Sequence, residues 1–427
     1  MKILKFETTE AKNYIKKIVN RSACSHNLEK KVYRIVDDVR RSGDRAVLKY
    51  TKQFDCSGIR LKDLKVRATE ILDSYNYVKR KHLSAIEQLV KRISKFEKRL
   101  KPKSWMEEKQ GMILGQYIMP LEKVGIYVPG GGASYISSFL MCAVPAKLAK
   151  VKKIVVASPP DRDGRLNPYL LVAANKLGIS EIYKIGGAQA IAGLAYGTQI
   201  LPRVDKIVGP GNIYVTLAKK VVFGDVDIDF LAGPTEILIL ADRHANARFI
   251  ASDLLSQAEH AADALAICIT SSLQLAHNIL REIQTQIQNL SRKHIINLSL
   301  KNGAIILVPS DNMDESINLA NQIAPEHIEV FVKNPFSLLN KIKNAGAIFL
   351  GSWTPVSIGD YIAGCSHVLP TAGSARFFSP LSIRDFMKVS NVISCTRKGL
   401  ENMGKMAMRI AEIEGMDAHI KSIGVRS

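Results

Sequence analysis

From position 124 onward, short apolar runs of strand length alternate with longer stretches in which apolar residues recur at helical spacing. This alternation predicts parallel strands connected by helices, and therefore an α/β fold. The runs form two series, separated by a Gly-Pro turn at Gly233-Pro234. The first series comprises residues 125–128, 153–158, 182–185 and 206–208, and the second comprises 236–241, 264–270, 303–308, 328–332 and 347–350. With 427 residues, of which 47% are hydrophobic, the chain can form more than one compact unit.

Three predicted strands of the first series end in glycine-rich turns. The turns read Gly130-Gly131-Gly132, Gly186-Gly187-Ala188-Gln189 and Gly209-Pro210-Gly211-Asn212. Glycine lets backbone amides approach a phosphate, and ligands of open parallel sheets bind at the carboxyl ends of strands. Any one of these could be a simple tight turn, but three in succession favour a dinucleotide cleft. The usual G-x-G-x-x-G motif is absent, because Tyr135 stands where its third glycine would be.

The net charge of +21 is concentrated in residues 1–110, which carry 29 Lys and Arg against 14 Asp and Glu. Apolar residues such as Ile35, Val39, Leu89 and Ile93 recur there at helical spacing, so we expect a helical arm with a basic, solvated face. No zinc finger, RNA-binding sheet motif or basic zipper accompanies the charge. We therefore predict no specific nucleic-acid partner, although the charge could steer an anionic dinucleotide towards the protein.

Six cysteines are scattered through the chain without a C-x-x-C pair. This distribution is typical of a reduced, cytoplasmic enzyme and not of a disulfide scaffold or a cysteine zinc site. No apolar run is long enough to span a bilayer, and the first residues lack a secretory apolar core. We expect a cytoplasmic protein with no membrane partner.

Two pairs of polar residues could carry chemistry. Gln257 and His260 are three apart on a predicted helix, so they project from one face and could share a ligand. Glu326 and His327 precede a predicted strand, and an adjacent carboxylate and imidazole are suited to proton transfer. Taken alone, each pair is more simply explained as a solvated helix end or a capped turn. Cys365 is a candidate for covalent catalysis, although buried thiols are usually inert.

One stretch of the sequence favours the functional interpretation of both pairs. It spans residues 228–260 and reads IDFLAGPTEILILADRHANARFIASDLLSQAEH. The stretch resembles the signature of the histidinol dehydrogenase family, which accepts Ser or Thr at the position of Thr235. A match that spans a turn, a strand and a helix is highly specific. The similarity runs from about residue 124 to residue 419, whereas the first 110 residues match only in helical character.

The resemblance implies NAD and one Zn²⁺ per subunit as cofactors, and L-histidinol as the substrate. It also implies that His327 removes the hydroxyl proton and that Glu326 activates the attacking water. The implied NAD contacts are Tyr127, Gln189 and Asn212. The implied zinc ligands are Gln257, His260, Asp360 and His419. The implied substrate contacts are Thr235, Gln257, His260, His327, Asp360, His367, Glu414 and His419.

The family's fold implies two similar, incomplete Rossmann-like parallel-sheet domains between an N-terminal helical arm and a C-terminal helical tail. The expected segments are 1–110 for the arm, 111–235 for NAD binding, 236–370 for the metal and catalytic residues, and 371–427 for the tail. The resemblance further implies a homodimer in which the tail, with an amphipathic helix at 402–413, completes the neighbouring active site. Two other functions stay open: a zinc hydrolase acting on an imidazole compound, and a basic nucleic-acid-binding module.

Overall fold

The computed structural model describes residues 1–21, 26–130, 135–311 and 313–426, so Gly131 and Gly132 of the first glycine turn lie outside it. Within these ranges the strands form two parallel sheets and one antiparallel sheet. The strands are β1 (Lys2–Lys5), β2 (Trp105–Lys109), β3 (Met112–Pro120), β4 (Lys123–Tyr127), β5 (Lys153–Ser158), β6 (Glu181–Lys184), β7 (Lys206–Val208), β8 (Asp227–Ile228), β9 (Glu236–Ala241), β10 (Leu265–Thr270), β11 (Ala304–Leu307), β12 (His327–Phe331), β13 (Ala347–Leu350) and β14 (Met387–Cys395). The helices are α1 (Thr9–Val19), α2 (His26–Ser42), α3 (Asp44–Phe54), α4 (Ala68–Ser74), α5 (Arg80–Leu100), α6 (Ile136–Ala149), α7 (Pro168–Lys176), α8 (Gly187–Tyr196), α9 (Ile213–Val222), α10 (Ala247–Ala258), α11 (Leu273–Gln286), α12 (Lys293–Asn302), α13 (Met313–Ile323), α14 (Val356–Ile358), α15 (Arg397–Ile413) and α16 (Asp417–Gly424).

The first parallel sheet has the strand order β6-β5-β4-β7-β8. Its strands are apolar runs such as KIVVAS in β5, because helices cover both faces and leave no side for polar residues. Helix α6 is apolar on almost every side and is correspondingly buried within this unit. The four strands predicted for the first series are confirmed as β4, β5, β6 and β7.

The second parallel sheet has the order β1-β11-β10-β9-β12-β13, and all its neighbouring strands are parallel. The five strands predicted for the second series are all present, which confirms the expected pair of similar α/β units. Strand β1 was not anticipated by the prediction of a helical arm. It pairs with β11, with Leu4 opposite Ile306, and four residues are too few for periodicity to reveal a strand.

The third sheet is antiparallel, with the order β14-β3-β2. Strand β14 lies within 371–427, which the sequence predicted to be a helical tail. Most residues of β14 are exposed or only half buried, so no alternation of apolar and polar residues marked it as a strand. Helices α15 and α16 follow it and pack against each other, so the helical part of the tail prediction is confirmed.

The N-terminal arm is attached mainly to the first unit. Helices α2 and α3 pack on α8, and α5 packs on α6. The predicted apolar faces are the buried ones, since Ile35, Val39, Leu89 and Ile93 all lie in the core. In the part of the chain that the structure describes, no helix is both long and apolar enough to cross a membrane.

Candidate active site

The predicted catalytic pair lies at the amino end of β12. Ala324 has a left-handed backbone conformation, with φ of +50°, in the turn between α13 and β12. Glu326 follows this turn, and His327 is the first residue of the strand. The adjacent strand β9 begins at Glu236, directly after Thr235. The pairing of these two strands therefore brings four polar residues together at one edge of the second sheet.

Glu326 is held as a carboxylate by several donors. Its Oε2 accepts hydrogen bonds from Oγ1 of Thr235 at 2.5 Å and from the backbone N–H of Glu236 at 2.8 Å. The same oxygen lies 3.4 Å from Nδ1 of His327. Burial raises the pKa of a carboxyl group, but the attraction of His327 and these hydrogen bonds outweigh burial and lower the pKa of Glu326. Glu326 is thus available to accept a proton at neutral pH.

His327 has one imidazole nitrogen fixed and the other unused. Nδ1 lies 2.9 Å from the backbone carbonyl oxygen of Glu236, and because a carbonyl only accepts, Nδ1 carries the proton and donates. Nε2 is buried and has no hydrogen-bond partner among the described residues. Burial alone would lower the pKa of His327, but the charges of Glu326 and Asp360 raise it to about 9. Nε2 therefore holds a proton below that pKa and can accept one from a ligand above it.

Gln257 connects helix α10 to this cluster. Its side chain is buried, and Nε2 donates a short hydrogen bond to Oγ1 of Thr235. Because the Thr235 hydroxyl donates onward to Glu326, the three side chains form one directed chain of hydrogen bonds. Because Nε2 of Gln257 is already hydrogen-bonded to Thr235, its amide oxygen is the atom that remains available to a ligand.

Asp360 and His367 approach the cluster from the segment after β13. Oδ1 of Asp360 lies 3.9 Å from Nε2 of His327. His367 donates from Nδ1 to the backbone oxygen of Asp360 at 2.8 Å, and its Nε2 lies 2.9 Å from Oγ of Ser138. Burial lowers the pKa of His367, which favours the neutral imidazole. Ser138 belongs to α6 of the first unit, so this contact joins the two units at the site, and the sequence did not indicate it.

The remaining predicted ligands are not assembled with these residues. His260 lies just beyond the end of α10 and is exposed. Glu414 follows α15, His419 lies on α16, and both are exposed. Over the described ranges, no group of three or more His, Cys, Asp or Glu side chains is placed to hold a metal ion. A single described chain therefore brings Gln257 and Asp360 to the cluster but does not complete the predicted four-ligand set.

Two of the three predicted NAD contacts lie together where the strands of the first sheet end. The hydroxyl of Tyr127 accepts from the backbone N–H of Gly187 at 3.1 Å. Gln189 is buried, and its Nε2 donates to Oδ2 of Asp55 at 3.4 Å. Its Oε1 finds no partner in the described part of the chain. Burial raises the pKa of Asp55 to about 6. An unsatisfied buried amide oxygen beside a helix N-terminus is an arrangement that a polar ligand would complete.

Asn212, the third predicted NAD contact, is the N-cap of α9. Its Oδ1 accepts hydrogen bonds from the backbone N–H groups of Tyr214 and Val215 at 3.1 and 3.2 Å. The preceding Gly209 has φ of +112°, and a Cβ there would lie 2.2 Å from the carbonyl oxygen of Tyr127. Only glycine permits this close approach of β7 to the end of β4, which explains the glycine in the third turn.

Glu236 and Arg21 are part of the site although the sequence analysis did not select them. The guanidinium of Arg21 binds both carboxylate oxygens of Glu236. Burial raises the pKa of Glu236, and Arg21 opposes that shift. The sequence did contain a signal for Glu236, since it is the one charged residue in the otherwise apolar run EILILA. A carboxylate in a buried strand requires a partner. Its partner, more than 200 positions away, could not be found from spacing.

Cys365 does not resemble an activated nucleophile. Burial raises the pKa of its thiol, with Asp360 and Glu97 adding to the shift. An activated cysteine has a lowered pKa, because the thiolate is the reactive form. The electrostatic environment therefore disfavours covalent catalysis by Cys365.

Two parallel-sheet units, with a buried carboxylate–imidazole pair on one and glycine-rich strand ends on the other, define an α/β enzyme equipped for proton transfer. The family model described as Histidinol dehydrogenase matches residues 19–427. The chain belongs to the histidinol dehydrogenase family, a family of oxidoreductases.

Individual relatives agree with this assignment over nearly the whole chain. A histidinol dehydrogenase of Caldanaerobacter subterraneus subsp. tengcongensis is 50% identical and covers 96% of this chain and 95% of its own length. One of Listeria monocytogenes is 48% identical, with 100% and 99% coverage. Among solved structures, histidinol dehydrogenase from Elizabethkingia anophelis is similar with a TM-score of 0.91 at 37% identity, and the match covers 97% of this chain and 95% of that one.

Proposed function

We propose that this chain oxidises L-histidinol through L-histidinaldehyde to L-histidine, the last steps of histidine biosynthesis, with two molecules of NAD⁺ as hydride acceptors. Membership of the family supports the proposal. The observation that carries it is the buried imidazole of His327: its Nε2 has no hydrogen-bond partner in the described chain, and its Nδ1 lies 3.4 Å from the Glu326 carboxylate. The direct test is an absorbance rise at 340 nm when purified protein is mixed with NAD⁺ and L-histidinol. Absence of NADH formation by folded, zinc-loaded protein would overturn the proposal.

The two residues have separate tasks in the proposed reaction. His327 removes the hydroxyl proton of the alcohol while a hydride leaves its carbon for NAD⁺, which gives the aldehyde. Glu326 then takes a proton from water as the water oxygen adds to the aldehyde, and the resulting hydrate anion gives a second hydride to NAD⁺ to form the acid. The Thr235 hydroxyl and the Glu236 amide fix the Glu326 carboxylate for this task. On the resemblance to the family, Thr235, His367 and Glu414 are also proposed to contact the substrate.

The proposed zinc ligands are Gln257, His260, Asp360 and His419. The donor set fits the metal, since Gln257 presents an amide oxygen, Asp360 a carboxylate, and the two histidines imidazole nitrogens. When bound, zinc would hold and orient the amino and imidazole nitrogens of the substrate. His327 and the hydrogen-bonded chain from Gln257 to Glu326 would then meet the substrate hydroxyl in a fixed geometry.

We propose a homodimer in which His419 and Glu414 of the partner subunit complete each site. Large apolar residues along the tail are exposed, including Ile393, Met406, Ile410 and Ile413, the last at 82%. Such a surface on a terminal segment suits burial against a second copy of the chain. A shared site also explains why the described part of one chain does not gather the four ligands.

NAD⁺ is proposed to bind along the ends of β4, β6 and β7, with Tyr127, Gln189 and Asn212 as contacts. The support is the unsatisfied Oε1 of Gln189 and the amino ends of α8 and α9 directed at this region. We propose a cytoplasmic location, which agrees with the free cysteines of the described ranges: Cys56, Cys142, Cys268, Cys365 and Cys395.

A further inference from the structure

Two buried carboxyl groups lie next to the catalytic cluster and take no part in the chemistry proposed above. Glu329 follows His327 by two positions in β12, so both side chains are on the same face of the sheet. Asp253 precedes Gln257 by one turn of α10, so these two also share a face. Glu329 is 0% exposed and Asp253 is 8% exposed.

Each of the two carboxyl groups shifts the pKa of the other: Asp253 raises the pKa of Glu329, and Glu329 lowers that of Asp253. Two carboxylates cannot hydrogen-bond, because neither has a donor, whereas one protonated and one charged group can. Oε2 of Glu329 has no donor in the described part of the protein, and a proton shared with Asp253 would satisfy it. Burial and repulsion between the two groups raise the pKa of Glu329, which also favours the shared proton.

The other oxygen of Glu329 holds a different part of the site. Oε1 accepts a 2.9 Å hydrogen bond from the backbone N–H of Val356, the first residue of α14. The preceding N-cap residue is Pro355, whose side chain has no acceptor, so Glu329 supplies the cap from outside the helix. Helix α14 runs directly into the turn of residues Gly359–Ala363, which carries Asp360.

We propose that Asp253 and Glu329 form a positioning pair, in which a protonated Glu329 holds the Asp360 turn at a fixed separation from the Gln257 face of α10. The pair would thereby set the distance between Gln257 and Asp360, which are proposed to bind the same zinc ion. This inference rests on the proposed zinc site, and it assigns no catalytic contact to either residue.

The matched variants are Glu329→Gln and Glu329→Leu. A glutamine side chain donates to Asp253 and accepts from Val356, as a protonated glutamate does, whereas leucine of similar size does neither. Zinc affinity is measured by competition with a coloured chelator. Leucine should weaken zinc binding about 10- to 100-fold, the usual loss when a group supporting a metal ligand is removed, and glutamine should restore affinity to within about threefold of the unchanged protein.

A second measurement does not depend on metal. In zinc-free protein, hydrogen exchange of the peptide that contains residues 356–363 should be faster with leucine at position 329 and unchanged with glutamine. Peptides from α7, in the first unit, serve as an internal control. Unchanged zinc affinity and exchange in the leucine variant would overturn the proposal. The proposal would also be overturned if the glutamine variant lost as much zinc affinity and exchange protection as the leucine variant. Such a result would mean that the charge of Glu329, and not its neutral hydrogen bonds, supports the site.

If the leucine variant does not fold, Val356→Pro decides the question. Proline lacks the amide that Glu329 accepts but is tolerated at the first residue of a helix. Pro355 already has the extended ψ of 149° that a following proline requires. Val356→Ala is the packing control, because it keeps the amide. The proposal is supported if zinc binding is weaker in Val356→Pro but not in Val356→Ala. Equal zinc affinity in these two variants would exclude it. If the unchanged protein bound no zinc, the proposed function would fail, and the exchange data would still test the pair.

Discussion

Arg21 and Glu236 form a largely buried, bidentate ion pair beside the candidate catalytic residues. Oε2 of Glu236 also accepts from the backbone N–H of Glu326 at 3.3 Å, and Oε1 accepts from Ala372 at 3.1 Å. The guanidinium of Arg21 further donates to the backbone oxygen of Ile323 at 3.0 Å. A residue from the N-terminal segment therefore secures the loop that presents Glu326 and His327.

Replacing Arg21 with alanine should destabilise the protein by about 3–5 kcal/mol, because it leaves the Glu236 carboxylate buried without a charged partner. Chemical denaturation of both proteins measures the free energy of unfolding. Lys2→Ala is the matched control, since it removes an exposed ion pair with Glu10, and it should change stability by less than about 1 kcal/mol. Equal effects of the two changes would show that the buried pair contributes no more than a surface pair.

Glu326→Gln should slow the oxidation of aldehyde far more than the oxidation of alcohol. Only the second step needs an activated water, and loss of a general base typically costs about 10²- to 10⁴-fold. Single-turnover NADH formation from L-histidinol and from L-histidinaldehyde separates the two steps. Equal losses in both would contradict the separate roles of Glu326 and His327.

The pKa of His327 should be about 9 in metal-free protein and should fall on Glu326→Gln, because the charge that raises it is removed. Titration of the histidine ring protons by NMR measures both values. The pKa of His327 is higher in the folded protein than in the unfolded chain, where it is about 6.5. Protonation of His327 therefore stabilises the fold fully below pH 6.5, and this stabilisation is lost as the pH rises through the folded-state pKa. The free energy of unfolding of metal-free protein should therefore decrease over that interval, and decrease less in the variant. An unchanged pKa after Glu326→Gln would exclude Glu326 as its cause.

His260→Ala and Asp360→Ala should each lose zinc and activity together, while the protein remains folded. A four-ligand site rarely keeps full affinity after losing one ligand. Zinc content by elemental analysis and circular dichroism give the two readouts. His277→Ala, which removes an exposed histidine of α11, is the control and should keep its zinc. Full zinc content in either test variant would remove that residue from the proposed ligand set.

Mixing two inactive variants tests the shared site. A Glu326→Gln chain still offers an intact His419, and a His419→Ala chain keeps an intact Glu326. After denaturation and random re-association, about half the dimers are mixed and each has one intact site, so roughly a quarter of the original activity should return. Each variant refolded alone is the control. No recovery in the mixture, with mixed dimers detected by mass spectrometry, would show that each site lies within one chain.

The strands of both parallel sheets could be predicted because buried strands are short apolar runs bounded by turns. The cluster of Thr235, Gln257, Glu326 and Asp360 was predicted through the resemblance of residues 228–260 to a family signature. Spacing alone would not have grouped these side chains, since the pairing of β9 with β12 brings Thr235 and Glu326 together across 91 positions.

Other parts of the site left no readable signal in the sequence. Arg21, Asp55 and Ser138 contact residues that are distant in the sequence. A lone polar residue at the end or on the face of a helix has no distinctive pattern that would reveal such contacts. Asp253 and Glu329 each resemble an ordinary charged residue until their burial is known. Strand β14 was missed because its largely exposed faces impose no alternation of apolar and polar residues.

The pairing of β1 with β11 constrains when the second sheet can be completed during synthesis. Leu4 lies opposite Ile306, and at 5–20 residues per second its partner is made roughly 15–60 s later. Until β11 has been synthesised, residues 2–5 have no strand to pair with, while the first unit and most of the second are translated. Lys2 and Lys5, which flank Ile3 and Leu4, keep this waiting segment charged. That charge disfavours strand pairing between neighbouring nascent chains.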